Sequence, residues 1–512
     1  MKYSSLPESN KVFIFGILLA YIAVEITGIM FHPMWRDEIH FWSISGASSS
    51  MGDLLHRKGW DGHPDLWYIL VYAVRGLSDN PLTMQLLHSG IAILSVFLML
   101  KYAPFTRLQR IFLVFGYYYL FEYAIVSRNY AVEILLLTLI LALYRHRSRF
   151  ILLIPVLLFL LVQTNVFGMI LCIALLLTWF FEFFYSGYFK TVMTVQKVKL
   201  VIGFILVFAG IVYSVQSVLP PAHTGTAGIS DFSLSQLTLR ELIRSVATVW
   251  KAWIPIPDLN FQFWNTNIVR SEVVQAILAL VLMFSAGMLF LKRPVVLFLF
   301  IMGLIGIIAF IFIIFFGYLR HHGHLFILLI TCLWLNAYYP ESGFSLRSGF
   351  FEKLYGWFKK NAELLFSALL IVHILSGIYA FTVQVLIPFS AGKETAQYIR
   401  DQKLDRFLIA GDTDISLETV ASYLDREVFY ISRNTLATYM DYNPFQRSDP
   451  DESRVLSVAD SLMKMKNDTI LLVMNYPLKK IPGMNLKKIK SFEKSIVSNE
   501  VYYLYLLTPP EN

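Results

Sequence analysis

Along the first 390 positions, polar residues are confined to short gaps and the stretches between them are almost wholly apolar. A helix crosses the ~30 Å hydrocarbon core of a bilayer in ~20 residues, so run length picks out spans directly. Eleven stretches meet or approach that length: 12–31, 82–100, 110–126, 129–144, 149–163, 165–185, 200–219, 271–291, 295–316, 323–339 and 363–388. The pattern predicts an all-α polytopic bundle over residues 1–389.

Near Ser390 the long runs stop. GKETAQYIRDQ (392–402) and ISLETVASYLD (415–425) have helical spacing, whereas RFLIAG, EVFYIS, DTILLVMN and VYYLYLLT read as strands. Residues 390–512 are therefore expected to form a small α/β domain.

Composition supports this division. With 56% hydrophobic and 15% charged residues over 512 positions, the chain does not have the balance of an ordinary soluble enzyme. The net charge of +8 comes from Lys and Arg placed in the gaps between apolar runs. That is a topological signal and not a nucleic-acid footprint, because basic loops favour the cytoplasm. Lys101/Arg107/Arg110, Arg145/Arg147/Arg149, Lys190/Lys197/Lys199, Lys292/Arg293 and Arg347/Lys353/Lys359/Lys360 fall in alternate loops, all cytoplasmic if the N-terminus is. Lys2 and Lys11 precede the first run and no small-residue cleavage site follows it, so an uncleaved first span is expected. Cys172 and Cys332 lie inside apolar runs and suggest neither a disulfide framework nor a metal site.

The same parity places Pro64 to Leu77 flat at the interface, since it is too short to cross upright and counting it would turn basic loops outward. Residues 32–81 then form one external loop with juxtamembrane helices, and Trp67, Tyr68 and Tyr72 are expected in the aromatic belt. A second external loop, 220–270, has a polar start, an amphipathic middle and a Pro-rich aromatic end, and could cover a pocket as a lid.

Chemistry-bearing residues gather on this predicted external face. Asp37 and Glu38 follow the first span, His63 precedes Pro64, Arg128 and Tyr130 sit in a short turn flanked by Glu122 and Glu133, and Arg320, His321, His322 and His324 occupy another. Ionisable residues at a membrane boundary are functional candidates by default. Paired carboxylates suit base catalysis on a hydroxyl, and arginines and histidines beside them suit a phosphate leaving group. Each also has a plain reading: Asp37-Glu38 as a helix cap, His63 as a turn residue on Trp60, Arg128 as an interfacial side chain. The three histidines lack the i,i+4 spacing of a strong metal motif, so no metal site is assigned.

Three pieces of sequence carry a family resemblance: Trp35-Arg36-Asp37-Glu38, Gly62-His63-Pro64-Asp65-Leu66-Trp67-Tyr68 and Ser127-Arg128-Asn129-Tyr130. In order and placement they resemble the GT-C superfamily of integral-membrane glycosyltransferases. The likeness is greatest to the branch with protein O-mannosyltransferases, lipid A aminoarabinose transferases and lipopolysaccharide galacturonosyltransferases. It covers roughly residues 10–340, and SAGKETAQYI (390–399) looks like the start of that branch's external C-terminal domain.

The resemblance implies transfer of a sugar from a polyprenyl-phosphate donor to an external glycan, lipid or protein acceptor, with inversion and without a nucleotide site; no cofactor is expected beyond the donor, and dependence on a divalent metal stays open. Asp37 matches the acidic residue that acts as base, with Glu38 in support. Arg128, Tyr130 and Arg320 are the implied phosphate contacts, with His63, His321 and His324 beside them. Asp65 departs from the pattern, standing where the family usually has a second proline, and is a candidate acceptor contact. Two other classes stay open: a transporter or flippase of glycolipid, and a glycan polymerase or ligase using a pyrophosphate-linked donor.

Overall fold

The computed structural model describes residues 8–185, 188–219, 238–343, 349–412, 414–443, 450–479 and 484–510. The polar start of the predicted 220–270 loop, Arg347 and the side chain of Lys190 lie outside the described residues.

The helices in chain order are α1 (Glu8–Met30), α2 (Arg36–Ala47), α3 (Met51–Arg57), α4 (Leu66–Arg75), α5 (Leu82–Tyr102), α6 (Arg107–Val114), α7 (Tyr130–Tyr144), α8 (Leu153–Val162), α9 (Val166–Tyr185) and α10 (Tyr188–Val218). They continue with α11 (Leu239–Trp253), α12 (Glu272–Phe290), α13 (Pro294–Ile313), α14 (Leu319–His322), α15 (His324–Asn336) and α16 (Gly349–Leu386). Seven described helices are long and apolar enough to cross a membrane: α1, α5, α9, α10 beyond its kink at Gln196, α12, α13 and α16. Their outward faces carry exposed apolar side chains such as Val12, Phe204, Ile277, Leu364 and Leu375. So large an apolar exterior is an interaction surface, here for hydrocarbon.

The other four apolar stretches are helical but short or broken. Between α6 and α7 the chain winds as a π-helix, Tyr117–Ile125, with every side chain buried. The break before it has a packing cause. A Cβ on Gly116 or Gly377 would press on backbone atoms of the opposing segment or of its own turn, so α16 and the 115–117 backbone touch directly.

The basic loops meet at one end of the bundle. Arg147 reaches Glu182 at 2.5 Å, Tyr339 donates to Glu182 at 2.9 Å, and Glu341 binds Arg293 and Lys359. α7 begins at the other end with Tyr130 and finishes here with Tyr144, whose hydroxyl is 2.9 Å from that of Tyr339.

α4 differs from the expected interfacial helix. Trp67 and Tyr68 are fully buried, packed around Phe41 of α2 and His88 of α5. Protein and not headgroup covers them, because α4 lies between two other helices. α11 differs from a lid in the same way: Trp253 is buried and its Nε1 donates to the Leu325 carbonyl at 3.0 Å. The aromatic end of that loop brings Trp264 against Arg320.

The C-terminal domain adds α17 (Gly392–Asp401), β1 (Leu408–Gly411), α18 (Asp414–Leu424), β2 (Val428–Tyr430), β3 (Thr435–Ala437), α19 (Glu452–Lys466), β4 (Ile470–Met474), β5 (Leu486–Phe492) and β6 (Tyr502–Leu507). The sheet order is β3-β2-β1-β4-β6-β5, with β1 parallel to β2 and β4 and the outer pairs antiparallel. Strand alternation separates two cores: Ile409 and Leu471 face α17 and α18, while Ala410, Ile470 and Leu472 face α19. The four expected strands and two helices coincide with elements here; β3, α19 and β5 are additional.

Candidate functional site

α2 is the element on which the site is built. Asp37 and Glu38 occupy its first turn, where carboxylates are favoured by the helix dipole. Glu38 faces inward and is fully buried. Its Oε2 accepts from Trp35 N at 3.3 Å and lies 2.9 Å from His32 Nε2, while Oε1 accepts from Ser127 N at 2.5 Å. The last bond spans two distant segments and sets the turn that carries Arg128. Removing one partner of such a buried contact costs about 1–3 kcal/mol.

Asp37 points the other way, into a cluster of cations. Its Oδ2 accepts from Arg128 Nη1 at 2.7 Å and from Arg320 Nη2 at 2.9 Å, and Oδ1 lies 3.7 Å from Arg36 Nε. Burial alone would raise the Asp37 carboxyl, but the Arg128, Arg320 and Arg36 charges outweigh it and hold the group below the usual carboxylate range. The Asp37 side chain keeps 20% of its exposure against 3% for Arg128 and 6% for Arg320. Of these three side chains the carboxylate is the most accessible.

Each arginine is held from behind. Arg320 lies 4.8, 5.2 and 5.4 Å from the ring centres of Tyr318, Trp35 and Trp264, an aromatic cage that fixes a cation without neutralising it. Trp264 in turn donates to Glu122 at 3.1 Å, which also accepts from Tyr117 at 2.9 Å within the π-helix. Arg128 stands over Phe41 and Tyr130 at 5.5 and 5.7 Å. Its Nη2 donates to His63 Nε2 at 2.9 Å. An arginine only donates, so His63 must accept there and carry its proton on Nδ1, which is 2.7 Å from Asp61 Oδ1. Asp61 accepts a further bond from the Tyr68 hydroxyl. A continuous relay results: Tyr68, Asp61, His63, Arg128, Asp37, Arg320.

Asp37, His63, Arg128, Tyr130 and Arg320 therefore converge. The remaining candidates stand behind them. His321 Nδ1 accepts from Tyr318 N at 2.9 Å, and burial with the Arg320 and Arg128 charges pushes its ring well below the usual histidine value, so it packs as a neutral side chain beside Tyr130. His324 is fully enclosed between the His321 carbonyl at 2.8 Å and Glu133 Oε2 at 2.8 Å. Both ring nitrogens face acceptors, and the ring stacks on Phe167 at 4.5 Å. Asp65 is engaged elsewhere: it binds Lys58 Nζ at 2.6 Å and the Tyr213 hydroxyl.

Sequence reasoning missed Asp61 and Trp264. The signal for Asp61 was its position two residues before His63, where an Asx-type contact to the ring is within reach; for Trp264 it was the aromatic end of the second loop.

The C-terminal domain grips the same helix. Glu500 accepts from Arg36 N at 3.3 Å, Glu418 binds His40 Nδ1 at 2.9 Å, Tyr423 accepts from Met34 N at 2.8 Å, and Ser422 meets Ser43. Among the described residues, no three His, Cys, Asp or Glu side chains gather as a metal-holding group. An apolar cavity of about 340 Å³ between α8, α9 and α10 has Arg147 and Lys197 in its lining, at the basic end of the bundle away from Asp37. No protein-family model matches the chain, and no curated protein is significantly similar to it.

Proposed function

We propose that the chain is a membrane glycosyltransferase that moves a sugar from a polyprenyl-phosphate donor onto an acceptor hydroxyl at the external face, inverting the anomeric carbon. In this reading all eleven apolar stretches lie in the membrane, the N-terminus is cytoplasmic, and the C-terminal domain is external with the Asp37 cluster. The observation that carries it is one carboxylate shared by two caged guanidiniums. A carboxylate so held is suited to act as a base beside cations of the kind that bind phosphate.

The chemistry follows from the charges. Donor phosphate takes the Arg128 and Arg320 guanidiniums, which turn from Asp37 to meet it. Asp37 loses its two strongest opposing charges and becomes more basic at the moment the donor is in place. The acceptor hydroxyl gives its proton to Asp37, and its oxygen forms the bond to the anomeric carbon. The carbon–oxygen bond to phosphate breaks with its electron pair going to the phosphate, where the arginines stabilise the new charge. Asp61 and His63 keep the Arg128 fork oriented, and Glu38 keeps the whole turn in register with α2.

The test is Asp37→Asn in the full chain, reconstituted in proteoliposomes with polyprenyl-monophosphate and polyprenyl-pyrophosphate sugars as parallel donors. Loss of transfer from the monophosphate donor with unchanged folding is expected. Normal turnover removes the base, and turnover restricted to the pyrophosphate donor favours a polymerase or ligase.

A further inference from the structure

His40 lies one turn beyond Asp37 on the same face of α2 and is almost fully buried. Glu418 of the C-terminal domain holds its Nδ1 with both carboxylate oxygens, at 2.9 and 3.1 Å. The other ring nitrogen, Nε2, is buried and has no hydrogen-bond partner among the described residues. A buried polar atom left without a partner is costly, and such atoms persist where a bound group satisfies them. Beside it the C-terminal domain adds Tyr442, whose ring meets His40 edge to face at 4.7 Å. The Tyr442 phenol also feels the charges of Asp37, Asp61 and Arg128.

These placements divide the surroundings of Asp37. Its Oδ2 side is taken by Arg128 and Arg320, the pair that suits phosphate. The side toward His40 and Tyr442 is lined by α2 and the C-terminal domain.

We propose that the acceptor binds in the angle between α2 and the C-terminal domain, with His40 Nε2 as its hydrogen-bond contact and Tyr442 as its wall. This rests on the glycosyl-transfer reading above. The C-terminal domain is then part of the reaction pocket: Glu418 fixes the imidazole, and Tyr442 closes the space into which the acceptor hydroxyl enters on its way to Asp37.

Two amide replacements separate this role from a purely structural one. His40→Asn puts an amide where Nδ1 stands and keeps the tie to Glu418, whereas His40→Gln reaches the position of Nε2. In full-length protein in proteoliposomes, donor affinity is read with polyprenyl phosphate alone. Transfer is read as polyprenyl phosphate released from the sugar donor as a cell-envelope glycan and lipid extract is titrated. Expected for His40→Asn is a rise of ~10-fold in the apparent KM for extract, with polyprenyl-phosphate affinity within about twofold, and partial recovery in His40→Gln. An unchanged apparent KM in His40→Asn overturns the assignment. If His40→Asn does not fold, Tyr442→Ala decides: a raised apparent KM for extract supports the pocket, and an unchanged one rejects it. Because Asp37→Asn is measured alongside, failure of the transferase reading shows as normal turnover in that variant and is distinct from failure here.

Discussion

Asp37 and Arg128 are 91 residues apart in the chain and 2.7 Å apart in the fold, and the guanidinium that closes this gap also donates to His63. One planar side chain therefore bridges a carboxylate and an imidazole that come from different segments. Lysine could reach one of them but offers no second fixed donor.

Arg128→Lys is accordingly expected to behave nearly as badly as Arg128→Ala. Donor kcat/KM should fall ~100-fold in both, through loss of the fork and not of charge alone. Steady-state kinetics with a titrated polyprenyl-phosphate donor checks this; near-normal activity in the lysine variant would show that only the charge matters.

The depressed Asp37 carboxyl fixes the direction of the pH response. A group held below its ordinary value of 3.8 stays ionised as pH falls past that value, so donor kcat/KM should hold flat until more acidic pH. Arg320→Gln removes one opposing charge and leaves burial less balanced. Its acid limb should move upward by about one pH unit, which a kcat/KM profile measures directly.

Glu38→Gln tests the anchor and not the base. A neutral amide keeps one acceptor oxygen, so it can serve the Ser127 N–H or the Trp35 N–H but turns its NH2 toward the other, and it loses the charge that strengthens these bonds. The expected result is a melting point several degrees lower, with kcat reduced ~10-fold and the pH profile unmoved. A shifted acid limb in this variant would mean that Glu38 takes part in proton transfer.

Glu500 predicts a stability slope of the opposite sign to that of Asp37. Burial raises its carboxyl from 4.5 to about 7, against the pull of Arg36 and Ser390. A carboxyl raised on folding contributes stability that is complete below 4.5 and lost as pH rises through about 7. The purified chain should melt at higher temperature at pH 5 than at pH 8, and Glu500→Gln should flatten part of that difference. The single-group contribution is on the order of 2 kcal/mol. A steeper slope in the glutamine variant would contradict it.

Run length alone located the apolar helices, because lipid demands a minimum of hydrocarbon-facing residues and leaves little freedom in where a helix lies. The convergence of Asp37, Arg128 and Arg320 was legible through parity: the loops that hold them alternate with basic ones. The division of labour between neighbours was not. Asp37 and Glu38 are adjacent and chemically alike, and only the helical turn of about 100° between them decides which meets arginines and which meets Ser127. Tertiary packing likewise overrode the amphipathic look of α4 and α11, drawing Trp67, Tyr68 and Trp253 into the protein. His40, Glu418 and Tyr442 were invisible because their partnership exists only after a domain some 380 positions downstream folds back on α2. β5 escaped notice because its lysines break the alternation expected of a half-buried strand.

Held at Arg36, His40 and Ser43 by the tail domain and at Glu38 by the bundle, α2 works as a common axle. In the proposed reaction, swinging the domain aside would carry Asp37 away from the place where Arg128 and Arg320 hold the donor, so a molecule too bulky to slip past Tyr442 would gain entry only by parting base from donor. Large acceptors would then have to be threaded in by a protruding end, and the proposed transferase would discriminate among them by the slenderness of that end.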